Sequence, residues 1–458
     1  MLRKDKARAI AFRILQRVEG EGAWASLLLQ NVPPQTPPAE MRLVTELVYG
    51  ALRHRLRDER TLELLAGRPI TRIDDRIAIL FRIAAHQLLR LDRVPDHAAV
   101  NEAVETARTM RTGGAAARAG AQARFLNAVL RRLSREGEPP EVAATPSGDL
   151  PEGERVRRFA IHWSHPEWVV KRWMEKMGPA ETALLLAAGN ERPPLAARVD
   201  TARTTIEAAR LALAAEGVTS EPSDFPEDSI RITGGTPQRT SVFARGGIYI
   251  QDEASGLVPL LLAPEPGARV LDACAAPGGK SLVLARMAGP SGRVVAAEIH
   301  PSRAGLITSN ARRHGVASIL TVACDITMAP FSAPFDAVLV DAPCSGTGVF
   351  RRDPESRYRL RPEDLDSLVK GQEAILNAVA PLVKVGGRLV YSVCSLEPEE
   401  GEGRVEEFLS AHAGFSIEPV ADRLHARPDL VGADGAMRTL PHRHDMDGFY
   451  AASLARRR

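Results

Sequence analysis

Apolar residues recur at three- and four-residue spacing over Ala7–Val18, Met41–Arg55, Arg76–Leu91, His97–Met110 and Gln122–Leu133, separated by polar or Pro/Gly breaks. That spacing is the mark of amphipathic helices, so the chain from Lys4 to about Arg135 is predicted to be a bundle of five to seven. Asp96 before His97, and Thr71 to Asp75 before Ile77, supply capping residues at two helix starts. Ser134 to Arg155 is rich in Pro, Gly and charge and reads as a linker. Beyond it, Leu195–Val199, Ser229–Ile232 and Ile248–Ile250 read as short strands around a helix over Thr205–Glu216, a small α/β insert. From Gly247 onward strands and helices alternate, which predicts a mostly parallel, doubly wound sheet. The expected organisation is multidomain: an all-α bundle over 1–137, a linker over 138–155, a small α/β subdomain over 156–240 and an α/β Rossmann-like domain over 241–458.

The length of 458 residues agrees with three or so domains. An apolar content of 44% with 26% charge is that of a soluble globular protein. No apolar run approaches the roughly 18 residues of a membrane span, and no hydrophobic segment follows Met1–Lys6, so a cytoplasmic location without membrane contact is expected. Cys274, Cys324, Cys344 and Cys394 form no C-x-x-C pair, which argues against a disulfide framework or a bound metal. A monomer is expected. Residues 1–140 hold 24 Lys and Arg against 16 Asp and Glu, so the bundle is basic and suits a polyanion, although Arg-rich composition throughout could produce the same excess. Trp163, Trp168 and Trp173 lie near Lys171 and Arg172, where they either anchor a helical subdomain, the commoner use, or stack on exposed bases.

Candidate chemistry collects at predicted strand ends. Ala337–Val340 is a continuous apolar run of buried-strand type, broken by Asp341-Ala342-Pro343-Cys344. Fifty residues on, Cys394 closes a second such strand, Arg388–Tyr391. In open α/β sheets ligands bind at that edge. Asp272-Ala273-Cys274-Ala275-Ala276-Pro277-Gly278-Gly279-Lys280 joins the first strand of this domain to its first helix, and its glycines allow close backbone approach to a ligand. The G-x-G-x-x-G spacing of dinucleotide sites is absent. Glu298 and Asp325 close the next two strands. Ordered acids beside a Gly-rich loop suit an adenosine-bearing ligand, best of all the cationic S-adenosylmethionine. The cofactor loop Cys274, Ala275, Ala276, Pro277, Gly278, Gly279 and Lys280, with Glu298, Asp325 and Asp341, is therefore the expected cofactor site.

Two resemblances sharpen these expectations. Arg42 to Gly50, Asn101 to Glu105 and Phe125 to Arg132 resemble the all-α RNA-binding fold of the antitermination factor NusB, which implies RNA contact through this domain, with Arg131 and Arg132 as candidates. The two cysteine motifs, with Gln251 to Ser255 and Met446 to Tyr450, resemble the Sun-type RNA 5-methylcytosine methyltransferases over nearly the whole chain. With the NusB-like extension, the resemblance implies 16S ribosomal RNA as substrate. Cytosine C5 is a poor nucleophile, so a thiolate must first add to C6. The residues alone leave open which thiol attacks, since Pro343-Cys344 also matches the Pro-Cys nucleophile of DNA enzymes. The Sun-type resemblance implies Cys394 as nucleophile, Cys344 in release and Asp341 at the N3/N4 edge. Lys280 and Pro343 would lie by the cytosine, and Cys274 and Cys324 would be structural. Val393, Ser281 and Glu298 stand where the family often has Thr, Thr and Asp. Transfer RNA as substrate, or a non-catalytic ribosome-assembly factor, are the alternatives.

Overall fold

The computed structural model describes residues 7–33, 35–92, 94–109, 116–146, 150–328 and 331–458. The expected helix start at Lys4, Met110 at the end of another helix and Ser147-Gly148-Asp149 of the linker lie outside them. The chain forms two compact units: Met1–Glu191 with Phe350–Arg359, and Arg192–Val349 with Leu360–Arg458.

The first unit is helical. It comprises α1 (Ala7–Gly20), α2 (Ala25–Gln30), α3 (Pro38–Arg53), α4 (Arg55–Ala66), α5 (Asp75–Arg90), α6 (Asp96–Thr109), α7 (Ala116–Glu136), α8 (Pro140–Ala143), α9 (Glu152–Trp163) and α10 (Glu167–Asn190), the last interrupted at Gly178. The stripes read from the sequence form its core, with Leu15, Leu47, Phe81 and Leu126 completely or almost completely buried. Helix α4 has no such stripe. Its Arg55-Leu-Arg-Asp-Glu-Arg start is too charged for the apolar pattern, and beside Leu62 and Leu65, which enter the core, it packs through a buried polar group: Asp58, fully buried, accepts from Arg90 at 2.9 Å.

The linker expectation needs correction. Ser134 to Glu136 still belongs to α7, Val142 in α8 is buried, and Glu138 pairs with Arg57 at 2.7 Å, so much of 138–155 packs against the bundle. Pro and Gly there cut the chain into short pieces without freeing it. The following residues to Glu191, expected with the α/β insert, also lie in the helical unit: the Arg57 N–H donates to Ser164 Oγ at 3.0 Å, and Trp173 is buried, a packing role for that indole. Ten residues from far along the chain complete this unit. Arg357, fully buried, donates to Asn190 Oδ1 at 2.7 Å, Tyr358 Oη donates to the Leu52 carbonyl at 2.9 Å, and Glu355 accepts from Ala25 N–H at 2.8 Å.

The second unit contains two sheets. The small one comes from β1 (Leu195–Val199), α11 (Ile206–Ala215), β2 (Thr219–Pro222), β3 (Ser229–Gly234), α12 (Ser241–Ala244) and β4 (Ile248–Ile250), and is antiparallel in the order β2-β3-β1-β4. Sequence patterning misses β2 because Thr-Ser-Glu-Pro is a polar edge strand with no buried face.

The larger sheet follows from α13 (Glu253–Leu262), β5 (Arg269–Asp272), α14 (Gly279–Ala288), β6 (Arg293–Glu298), α15 (Pro301–Arg313), β7 (Ile319–Ala323), β8 (Phe335–Asp341), α16 (Pro362–Val379), β9 (Val383–Val393), α17 (Glu402–Ala411), β10 (Phe415–Ile417), β11 (Met437–Thr439), α18 (Pro441–His444) and β12 (Phe449–Arg456). Its order is β10-β12-β9-β8-β5-β6-β7, with β11 also on β12, and β9-β8-β5-β6-β7 run parallel. The apolar runs are buried on both faces. Leu339 and Val390 join the core under α13 and α14, whereas Val338, Val340 and Leu389 join the core under α16 and α17.

Candidate active site

Strands β8 and β9 are parallel neighbours with Asp341 opposite Ser392, so the loops that leave them start side by side at one sheet edge. Three residues past Asp341 comes Cys344, and two past Ser392 comes Cys394. Their Sγ atoms are 3.4 Å apart. Gly348 N–H donates to the Cys394 carbonyl at 3.1 Å, and Gly448 N–H donates to the Gly348 carbonyl at 2.9 Å. A Cβ on Gly348 would collide with the Gly448 backbone, so only glycine lets these loops close.

Asp341, last in β8, accepts from Lys280 Nζ at 2.6 Å and from Ser392 Oγ at 2.7 Å. Lys280 Nζ also donates to Ser255 Oγ at 2.8 Å and lies 5.6 Å from the Phe449 ring centre. The carboxylate is thus fixed in direction by an ammonium and a hydroxyl. Pro343 is exposed beside these groups and its carbonyl accepts from Gln372 Nε2 at 2.9 Å.

The hydrogen bond to Cys394, burial, and negative charge at Cys394 and Glu400 push the Cys344 thiol well above its ordinary value. Burial likewise pushes Cys274 up, with Asp272 adding to the shift, and burial raises Cys324, so neither is a ready nucleophile.

At the neighbouring strand ends, β5 finishes in Asp272, whose buried carboxyl is pushed up to about 7 by burial and accepts from Ser281 Oγ at 2.6 Å. Gly278 has φ 104°, and a Cβ there would lie 3.2 Å from Ile307 Cα, so Cys274 to Lys280 turns tightly against α15 into α14. Glu298, buried at the end of β6, accepts from His300 N–H at 3.0 Å. Asp325, exposed just past β7, accepts from Thr327 N–H at 2.9 Å. The structure thus brings Asp341, Lys280, Cys344 and Cys394 together and sets the loop, Glu298 and Asp325 along the same strand-end edge.

Arg131 and Arg132 belong to the other unit and diverge. Arg131, exposed, lines a groove of about 470 Å³ with Asn101, Arg108, Arg124 and Asn127. Arg132 instead donates to Glu136 at 2.7 Å and to the Leu65 carbonyl at 3.1 Å.

Sequence reasoning missed Ser392, Gln372 and Glu400. Each is polar and buried within an apolar setting, a signal visible in sequence only once the strand register is known.

The family described as 16S rRNA methyltransferase RsmB/F matches residues 259–455, the NusB family matches 5–135, and an RsmF/B-like ferredoxin-like domain matches 165–239. A Bacillus subtilis protein named "Probable ribosomal RNA small subunit methyltransferase B" is 34% identical over 100% of both chains. The chain belongs to the RsmB/F family of rRNA methyltransferases. A Pectobacterium carotovorum ribosomal RNA small subunit methyltransferase B is 30% identical over 98% of each chain. The solved structure of PH0851 superposes with a TM-score of 0.78 at 25% identity, covering 98% of each chain. The RsmB/F domain is the one that carries both thiols, and the NusB match falls on α1 to α7.

The cofactor of this family member is S-adenosylmethionine, and the donor set fits it. At adjoining strand ends beside the Gly278 turn, Glu298 would offer a carboxylate to a ribose diol, Asp325 an acceptor to an amine, and Asp341 a negative charge to a sulfonium.

Proposed function

We propose that this rRNA methyltransferase forms 5-methylcytosine in 16S ribosomal RNA through a covalent adduct between Cys394 and cytosine C6. The observation that carries this reading is the pair of thiols 3.4 Å apart beside the Asp341–Lys280 ion pair. A pure RNA binder has no use for two apposed sulfurs next to an oriented carboxylate.

The cofactor supplies an electrophilic methyl group; what remains is to make C5 able to take it. Cys394 as thiolate adds to C6, and the C5–C6 π pair moves onto C5 and the N3 side of the ring. N3 takes a proton from water as the charge reaches it, and Asp341, held in direction by Lys280 and Ser392, faces the N3/N4 edge, where its carboxylate accepts from the new N3–H. After C5 is methylated its proton passes to water, that electron pair re-forms the C5–C6 double bond, the C6–S pair returns to Cys394, and N3 gives up the proton it had taken. Cys344, 3.4 Å from that sulfur, steadies it by a hydrogen bond as it departs. A base must leave its stack to reach a sheet edge, so unpaired RNA is the substrate form. The groove beside Arg124 and Arg131 supplies cations for the RNA backbone.

The experiment is incubation of full-length protein with labelled S-adenosylmethionine and protein-free 16S RNA, followed by nucleoside analysis. Label in 5-methylcytidine is the expected result. Label only when transfer RNA is offered would move the substrate, and RNA binding without label in either would favour an assembly factor.

A further inference from the structure

Glu400 is the strongest group that the proposed chemistry leaves without a role. It follows β9, is completely buried, and its partners are neutral donors. It accepts from Ser345 N–H at 2.9 Å, Ser345 Oγ, Ser395 Oγ at 2.5 Å and Gln372 Nε2 at 2.9 Å. A buried anion without a cation is costly, and it survives only where hydrogen bonds satisfy its oxygens. A carboxylate is also the side chain suited to four converging donors, since it accepts at both oxygens and donates at neither.

The positions of those donors give the carboxylate its meaning. Ser345 follows Cys344 and Ser395 follows Cys394, so one group holds the residue next to each thiol. The two hydroxyl oxygens are themselves 3.0 Å apart. Gln372 extends the clamp, because its Nε2 also donates to the carbonyl of Pro343, on the other side of Cys344, at 2.9 Å. Tyr391 Oη donates to the Glu400 carbonyl at 2.7 Å, which anchors the clamp's own backbone to β9. Sheet register brings the strands to the same edge, but nothing in register fixes where two loop side chains meet. The Gly348 N–H to Cys394 carbonyl bond ties the loops at one point, and Glu400 adds a tie at the residues next to both thiols.

We infer that Glu400 is a positioning residue that sets the separation of the Cys344 and Cys394 sulfurs by pinning Ser345 and Ser395 to one carboxylate. Its catalytic consequence rests on the proposed covalent reaction; its geometric consequence does not. Glu400→Gln would place an amide N–H against at least one existing donor, and the loops would part. Displacement of about 1 Å in reacting groups costs on the order of 100-fold in rate.

The test uses full-length protein and two readouts. Phenylarsine oxide binds where two thiols lie close together: arsenic bonds to each sulfur, and its oxygen leaves as water with the two thiol protons. Wild type should bind it in a way that Cys344→Ala abolishes. Glu400→Gln should weaken that binding about tenfold or more and lower kcat for methyl transfer about 100-fold, with the S-adenosylmethionine dissociation constant within about twofold of wild type. A Ser345→Ala, Ser395→Ala double variant removes the clamp from its other side and should reproduce both effects, which decides the matter if Glu400→Gln does not fold. Wild-type arsenical affinity in either folded variant would overturn the inference, as would equal losses of kcat and cofactor affinity. Should wild type transfer no methyl group, the proposed reaction fails while the arsenical comparison still judges the clamp.

Discussion

Two sulfur atoms 3.4 Å apart can look interchangeable, yet their surroundings separate them. Cys344 is pushed well above the ordinary thiol range by its hydrogen bond to Cys394, by burial and by nearby negative charge. In the proposed reaction Cys394 attacks and Cys344 serves departure. Cys344→Ala should therefore trap a covalent protein–RNA species that migrates slowly on a denaturing gel, and Cys394→Ala should give none; the reverse pattern would exchange the roles. Asp341, Cys344 and Cys394 were legible in the sequence because a carboxylate and thiols that end apolar strands have no packing reason to be there. Glu400 and Gln372 were not, because a polar residue in a turn or on a helix gives no sign of burial until the strands are paired.

At the scale of elements, periodicity identified what it could physically encode. Helices with an apolar stripe and strands buried on both faces were readable. Helix α4, packed through Asp58 and Arg90, and the polar edge strand β2 were not. Strand β12, Phe449–Arg456, escaped although it is buried, because its run Phe-Tyr-Ala-Ala-Ser-Leu-Ala-Arg holds no β-branched residue to mark it as a strand. Caps were readable where a side chain meets the backbone. Asp74 accepts from the Arg76 N–H at 3.0 Å at the start of α5, and its bonds to the Arg76 side chain hold its carboxyl down at about 2. A depressed folded pKa stabilises above the unfolded value near 4 and ceases to do so as pH falls through about 2. Asp74→Asn keeps the cap but loses the charge, so urea unfolding should show it about 1 kcal/mol less stable at pH 7, with the difference fading between roughly pH 4 and 2. A difference unchanged across that window would contradict the assignment.

At the scale of the whole molecule, the bounds of the two compact units follow contact and not composition. Contact between elements distant in sequence draws them: Phe350–Arg359 belongs with the helices of the first unit although the loop bearing Cys344 leads directly into it. No composition shift marks such a return. The charge excess of the first 140 residues was readable as a total but not as a surface, since Arg132, though exposed, pairs with Glu136 while Arg131 lines the α6–α7 groove without a carboxylate partner among the described residues. Arg131→Glu should accordingly weaken binding to 16S RNA and reduce the slope of log affinity against log salt by about 1, with the thiol chemistry intact. Arg132→Glu should act less on RNA and more on stability, and equal effects on RNA binding from both would count against the groove as the contact surface.

The central claim joins substrate, product and nucleophile, and bisulfite sequencing of protein-free 16S ribosomal RNA reads all three. After incubation with S-adenosylmethionine and full-length enzyme, the account predicts a cytosine protected from conversion, with protection lost when Cys394→Ala replaces the wild type. Protection that persists with Cys394→Ala would contradict the assigned nucleophile. No protected cytosine with an enzyme that still binds the RNA would contradict the account of protein-free 16S RNA as its substrate.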